Sequence, residues 1–166
     1  MKLSAKIEKA LNDQIHLELS SAYAYMGMAA YFGTSPFAGF AKWMETQFSE
    51  ELSHAQRIYK YVVERNGVVT LKAIAEPKTE FRSALDVFRA SLAHEQKVSA
   101  SICSIYESAL AEKDYPTVCF LKWFLDEQVE EEKNVTEILT KLEMIGDNRN
   151  GLFQLDHQAG KRGEKD

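Results

Sequence analysis

The chain has 166 residues, 45% hydrophobic and 27% charged, which is enough apolar material to close a core in one domain and unlike a disordered composition. Its net charge is −5 and the short tail Lys161-Arg162 is its one basic cluster, so the electrostatic footprint of a nucleic-acid binder is missing and cations suit it better. No apolar run approaches the roughly 20 residues of a membrane helix, and the N-terminal stretch has no signal-peptide centre, so the expectation is a cytoplasmic protein with neither membrane nor nucleic acid as partner.

A first helix is expected over 4–32, where Ile7, Leu11, Ile15, Ala22, Tyr25, Ala29 and Phe32 recur at steps of three and four until Gly33. Ser35-Pro36 then reads as an N-cap and a first-turn proline opening a second helix over 36–65, with Phe37, Phe40, Met44, Phe48, Ala55, Ile58 and Val62 on its stripe and Asn66-Gly67 at its close. The third, over 82–112, carries Leu85, Phe88, Leu92, Ile102, Tyr106 and Ala109 and opens on Ser83-x-x-Asp86, a capping-box variant. A fourth follows Asp114-Tyr115-Pro116 over 115–145, with Leu121, Phe124, Val135, Ile138 and Leu142 before Gly146, and a short fifth is expected over 151–158. Cys103 and Cys119 sit in helical surroundings without a C-x-x-C spacing and read as small buried thiols.

Helices of about 30 residues are each about 45 Å long. Short links make the first and second, and the third and fourth, antiparallel hairpins. The link over 67–80 spans about 46 Å when extended, which matches the bundle's length and makes helices two and three parallel. The alternating Val68 to Ile74 would suit a strand, but no second strand is available to pair with it. The expected fold is all-α: a single domain over 1–166, a four-helix bundle with one long crossover between helices two and three and a short C-terminal fifth helix.

Each stripe is broken by a polar residue near its middle. Glu18 falls between Ile15 and Ala22, and Glu51 between Phe48 and Ala55 with His54 one turn on; Glu95 follows Leu92, and Gln128 and Glu131 precede Val135. A lone acid on a stripe is usually a snorkelling rim residue. Four at one level are another matter, because a buried carboxylate costs several kcal/mol and facing ones repel, against a total stability of about 5–15 kcal/mol. No lysine or arginine lies on the stripes at that level, so metal ions are the expected compensation. A set of four Glu and one His is rich in hard oxygen, suited to iron or manganese rather than structural zinc, and Glu51 and His54 at i and i+3 share one helix face.

With these residues in place the sequence resembles the bacterial and archaeal non-haem ferritins over nearly its whole length. The likeness rests on LNDQIHLELSSAYAY around Glu18 and Tyr25, EELSHA around Glu51 and His54, HEQ at Glu95, FLKWFLDEQVEEE around Gln128 and Glu131, and the ending LFQLD. It implies a homo-oligomeric shell of 24 subunits with octahedral symmetry, which oxidises Fe(II) with O2 or peroxide at a two-iron ferroxidase centre and stores Fe(III) oxide. By the same resemblance Glu18, Glu51 and His54 hold one iron and Glu51, Glu95 and Glu131 the second, with Gln128 beside it and Tyr25 as an electron donor next to the centre. A third iron site would fall on Glu50, Glu127 and Glu130 with Glu131 shared, although a solvated acidic face accounts for those three residues equally well. Leu52 stands where bacterioferritins carry their haem-ligating methionine, so no haem is expected. Val118 and Leu121 replace the acidic pore positions of animal ferritins, and no pore residues are carried over.

His16, His94 and His157 fall off the central set and are expected at the surface or in subunit contacts. Trp43, Trp123, Met26, Met28 and Met44 read as packing residues.

Overall fold

The structure, a computed structural model, describes residues 2–162; Met1 and 163–166 of the expected domain lie outside them. Five helices follow in order: α1 (Ala5–Gly33), α2 (Ala38–Glu64), α3 (Ala84–Ala111), α4 (Tyr115–Ile145) and α5 (Arg149–Ala159). No strand occurs among the described residues. Four of the starts are capped from the local sequence, Ser4 accepting from Ile7, Ser83 from Asp86, Asp114 from Thr117 and Asn148 from Gly151. Two of the ends are Schellman turns whose left-handed residue is not glycine: Asn66 (φ 54°) and Lys113 (φ 57°), with Gly67 N–H donating to Val62 O and Asp114 N–H to Ala109 O.

α2 departs from the expected start. It begins at Ala38, beyond Pro36, and its N-cap residue Phe37 offers no side-chain bond. Ser35 instead turns its hydroxyl to Phe32 O and accepts from Phe37 N–H. The orphan N–H of Phe40 is taken by Asp156 Oδ1 at 2.7 Å, a residue of α5. Gly39 lets α5 come that close: a Cβ there would lie 1.8 Å from Asp156 O.

Residues 67–80 run extended along α1, from Asn12 to the region of Gly27, where a Cβ would meet Lys78 O at 2.7 Å. The missing strand partner is supplied by one side chain. Asn12 donates to Val68 O at 2.9 Å and accepts from Thr70 N–H at 2.6 Å. The crossover delivers α3 antiparallel to α1, so that Phe81 meets Tyr31, Ser91 meets Tyr25 and Ser101 meets Gln14, and α2 and α3 run parallel as expected.

Two apolar clusters fill the bundle. One gathers Tyr25, Phe32, Phe40, Trp43, Phe88 and Leu142 with Leu155 of α5; the other gathers Ile7, Leu11, Ile58, Ile102, Leu121 and Phe124. Val118 and Leu121 belong to the second cluster. The α3 stripe is rotated from its expected setting: Ala84, Val87, Ser91, Val98 and Ile105 are buried, while Leu85, Leu92 and Tyr106 sit half-buried at its flanks. Small Ala84 and Ser91 let the larger aromatics of α1 occupy the centre. Cys103 and Cys119 are exposed, against the expectation of buried thiols, because both lie off these buried faces. No helix among the described residues is long and apolar enough to cross a membrane.

Candidate metal centre

Between the two apolar clusters lies a layer of acid. Glu18, Glu51 and Glu95 are 0% exposed, His54 and Glu131 2% and Gln128 4%, so every interruption of a stripe points inward. Part of the layer is held by neutral groups. Gln14, one turn before Glu18, donates to Glu18 Oε1 at 2.8 Å and accepts from Ser101, and Gln47 donates to Glu131 Oε2 at 2.9 Å. The Tyr25 hydroxyl donates to Glu95 Oε1 and lies 2.8 Å from Ser91 Oγ; the Gln128 amide faces Glu95 Oε2 at 3.3 Å.

The rest has no partner. Glu18 Oε2, both oxygens of Glu51 and His54 Nδ1 are buried without a hydrogen bond. Groups of this kind are rare in folded proteins, since each forfeits its hydration for nothing in return. The four atoms belong to three residues whose ligand atoms lie within 4.8 Å of one another, and a second such group is formed by His54, Glu127 and Glu131. His54 stands between the groups, with Nδ1 4.0 Å from Glu51 Oε1 and Nε2 3.9 Å from Glu127 Oε1. The donor chemistry, hard oxygen with one imidazole, fits iron.

Electrostatics agree with geometry. Burial, then the charges of Glu18 and Glu95, push the Glu51 carboxyl well above its usual range, and burial raises Glu18 as well. Burial and the neighbouring Glu131 lift Glu95 to about 7 despite the bond from Tyr25. The His54 imidazole is driven down to about 4 by burial and by Arg57, which stacks 4.0 Å over Trp123, itself edge-on to His54. A neutral imidazole with an open Nδ1 is the form that binds metals. Burial raises Tyr25 well above 10, and the charges of Glu95 and Glu51 add to it.

The outer acids are less enclosed. Glu50 and Glu127 are half-buried and Glu130 is exposed. The stripes carry no basic residue at this level, as expected, but Arg162 folds back from beyond α5 to donate to Glu50 Oε2 at 2.9 Å and to Gln47, with its Nη2 3.7 Å from Glu131 Oε2. Its sequence neighbourhood is polar and carries no period, so nothing local announces it. Gln14 was legible in principle, since it stands four residues before the buried Glu18 it bonds, whereas Gln47 stands four before Glu51 but bonds Glu131 of α4, which no local spacing announces. His94, expected at the surface or in subunit contacts, lies half-buried with Nε2 2.6 Å from Ser21 Oγ and its ring edge-on to Tyr25.

Residues 8–145 match the family model of the ferritin-like domain. The chain belongs to the ferritin family. It is 41% identical over 160 residues to the bacterial non-heme ferritin of Staphylococcus aureus (strain USA300), and 42% identical to that of Staphylococcus haemolyticus, covering 96% of each chain in both comparisons. Among solved structures, the open pore ferritin of the hyperthermophilic archaeon Archaeoglobus fulgidus is similar at a TM-score of 0.95 and 42% identity, with 97% of this chain and 99% of that one covered. An engineered closed form of the same archaeal ferritin is similar at a TM-score of 0.94.

Proposed function

We propose that this ferritin stores iron in the cytoplasm, oxidising Fe(II) at the buried carboxylate layer and holding the Fe(III) product inside a shell of 24 subunits. The observation that carries this reading is the set of four unpartnered buried donor atoms on Glu18, Glu51 and His54. Iron is substrate and cargo here. One Fe(II) is taken by Glu18, Glu51 and His54, and a second by Glu51, Glu95 and Glu131, with Glu51 bridging; Glu50, Glu127 and Glu130 form an outer third position.

Two Fe(II) each lose one electron, and O2 gains both with two protons to leave as hydrogen peroxide. The chain's part is to bind, orient and handle protons. Hard anionic oxygens favour Fe(III) over Fe(II) and so lower the potential of the bound metal. Carboxyls held protonated by burial release their protons as the cations enter, Glu95 with its value near 7 among them. Gln14 and Gln47 fix the rotamers of Glu18 and Glu131, and Tyr25 fixes Glu95, a ligand of the second ion.

The test is stopped-flow oxidation of Fe(II) in air by the assembled protein and by Glu51→Ala, with native mass before and after loading. Rapid oxidation and a mass that grows with iron are expected of the wild type, and loss of the rapid phase is expected of the variant. An undiminished rapid phase in Glu51→Ala would remove the bridge, and a monomeric native mass would remove the shell.

A further inference from the structure

Arg162 is the third residue past the end of α5, and its guanidinium lies on the acidic layer rather than in solvent. It stacks 4.7 Å from the ring centroid of Trp43, binds Glu50 Oε2 and Gln47 Oε1, and approaches the same Glu131 oxygen that Gln47 holds. The chain's other well-placed internal arginine makes a contrast. Arg65 is built in, with Nη2 on both oxygens of Asp114 and Nη1 on Thr117 and Tyr61, at 11% side-chain exposure. Arg162 is 20% exposed, is anchored by a short tail rather than by a long helix, and borders a cleft of about 420 Å3 between α4 and α5 lined by Trp43, Glu130, Asn134 and Gln158.

We propose that Arg162 is a removable internal counter-ion: in the metal-free protein it occupies the acidic mouth formed by Glu50, Glu127 and Glu131, and it swings into the α4–α5 cleft when a third divalent cation arrives there. The inference rests on the proposed reading of the inner layer as a two-ion centre. Its physical basis is competition. The guanidinium uses the lone pairs of Glu50 Oε2 and sits within ion-pair distance of Glu131 Oε2, and two cations on one pair of carboxylates repel. The first inner position is not contested in this way, since Glu18 Oε2, Glu51 and His54 Nδ1 have no cationic partner, and the second meets the guanidinium only through the 3.7 Å approach to Glu131. The cleft provides the destination, because Glu137 on its wall offers a carboxylate to the departing side chain. Third-ion binding is thereby made weaker than binding at the inner pair, and ions at the mouth pass onward instead of lodging there.

The test is anaerobic titration calorimetry of the assembled protein with Fe(II) and, separately, with redox-silent Zn(II), for wild type, Arg162→Gln and Arg162→Lys. Two tight ions per subunit and a weaker third are expected of wild type. In Arg162→Gln the third is expected to bind on the order of tenfold more tightly, with Arg162→Lys between them, because lysine keeps the charge but loses the fork and the stacking. A third ion whose affinity in Arg162→Gln is unchanged or weaker overturns the counter-ion role while leaving the inner pair standing; a wild type that binds no ions tightly removes the centre and the inference together. Tryptophan emission supplies a second readout in a Trp123→Phe background, where Trp43 alone reports. The third equivalent of Zn(II) is expected to change that emission as the guanidinium leaves the ring, and an equal change in the Trp123→Phe/Arg162→Gln protein counts against the swing.

Discussion

Replacing Glu95 by glutamine should stabilise the metal-free protein, and the gain should appear only as pH rises. Glu95 is fully buried, and burial with the Glu131 charge raises its carboxyl from the ordinary 4.5 to about 7. In the unfolded chain the same group ionises near 4.5, so the stability it contributes is whole below that pH and is lost as pH climbs through about 7. The difference of about 2.5 decades, at about 1.4 kcal/mol each, makes the loss about 3 kcal/mol. An amide has the same shape, still accepts from Tyr25 with its carbonyl oxygen, and has no proton to lose. Near pH 4.5 variant and wild type should therefore melt together, and near pH 7.5 the variant should melt about 6–12 °C higher, taking about 2–4 °C per kcal/mol for a chain of this length. His54, held near 4, works in the opposite sense, its contribution being lost as pH falls from 6.5, but it is common to both proteins and cancels. Calorimetry of the chelator-stripped assembly at the two pH values gives the answer, and addition of Zn(II) should reverse the order by stabilising the wild type more. A variant no more stable than wild type near pH 7.5, or a gain equal at both pH values, would refute the reasoning.

Gly39→Ala puts a methyl group 1.8 Å from Asp156 O, so α5 should lift from α2 at a cost of about 3 kcal/mol, seen as a lower Tm and as earlier proteolysis of the C-terminal helix. Arg65→Ala leaves Asp114 and Thr117 without their guanidinium and should lose about 2–3 kcal/mol at neutral pH by calorimetry. Against burial, the bonds from Thr117 and Arg65 hold Asp114 below 3.8, so that loss should shrink as pH falls past 3.8. Tyr25→Phe removes the hydroxyl that orients Glu95 but no proposed ligand: calorimetry should still count two tight ions, while Fe(II) oxidation in air slows by about tenfold.

The sequence was most legible where one helix reports on itself. Burial of Glu18, Glu51, Glu95 and Glu131 follows from their place on stripes of period 3.6, and the crossover follows from counting the residues between α2 and α3. It was least legible where a distant segment finishes the job. The first turn of α2 is capped by Asp156, 116 positions away, so Ser35-Pro36 looked like a start signal when the true cap was out of local view. Arg162 reaches Gln47 and Glu50 across more than a hundred residues, and no periodicity carries that information. On α3, a stripe scored by size selected Leu85 and Leu92, whereas packing against α1 selected the small Ala84 and Ser91. Period locates the face, but the neighbour's bulk decides its centre.

The acidic layer persists because it is clamped from both ends. Along α1, Ile15 and Tyr25 lie to either side of Glu18; along α4, Phe124 and Val135 flank Gln128 and Glu131; and these residues belong to the two separate apolar clusters. Turning one helix far enough to bring its carboxylate to water would expose apolar side chains of both clusters, at about 1.5–3 kcal/mol for each large residue. Two or three such residues already outweigh the roughly 3 kcal/mol that a buried acid such as Glu95 costs at neutral pH. The acids therefore stay inward without metal, and their unpartnered oxygens stay where ions would use them. Binding at the inner positions needs no rearrangement of the helices, and for a third ion the proposed movement is confined to the Arg162 side chain.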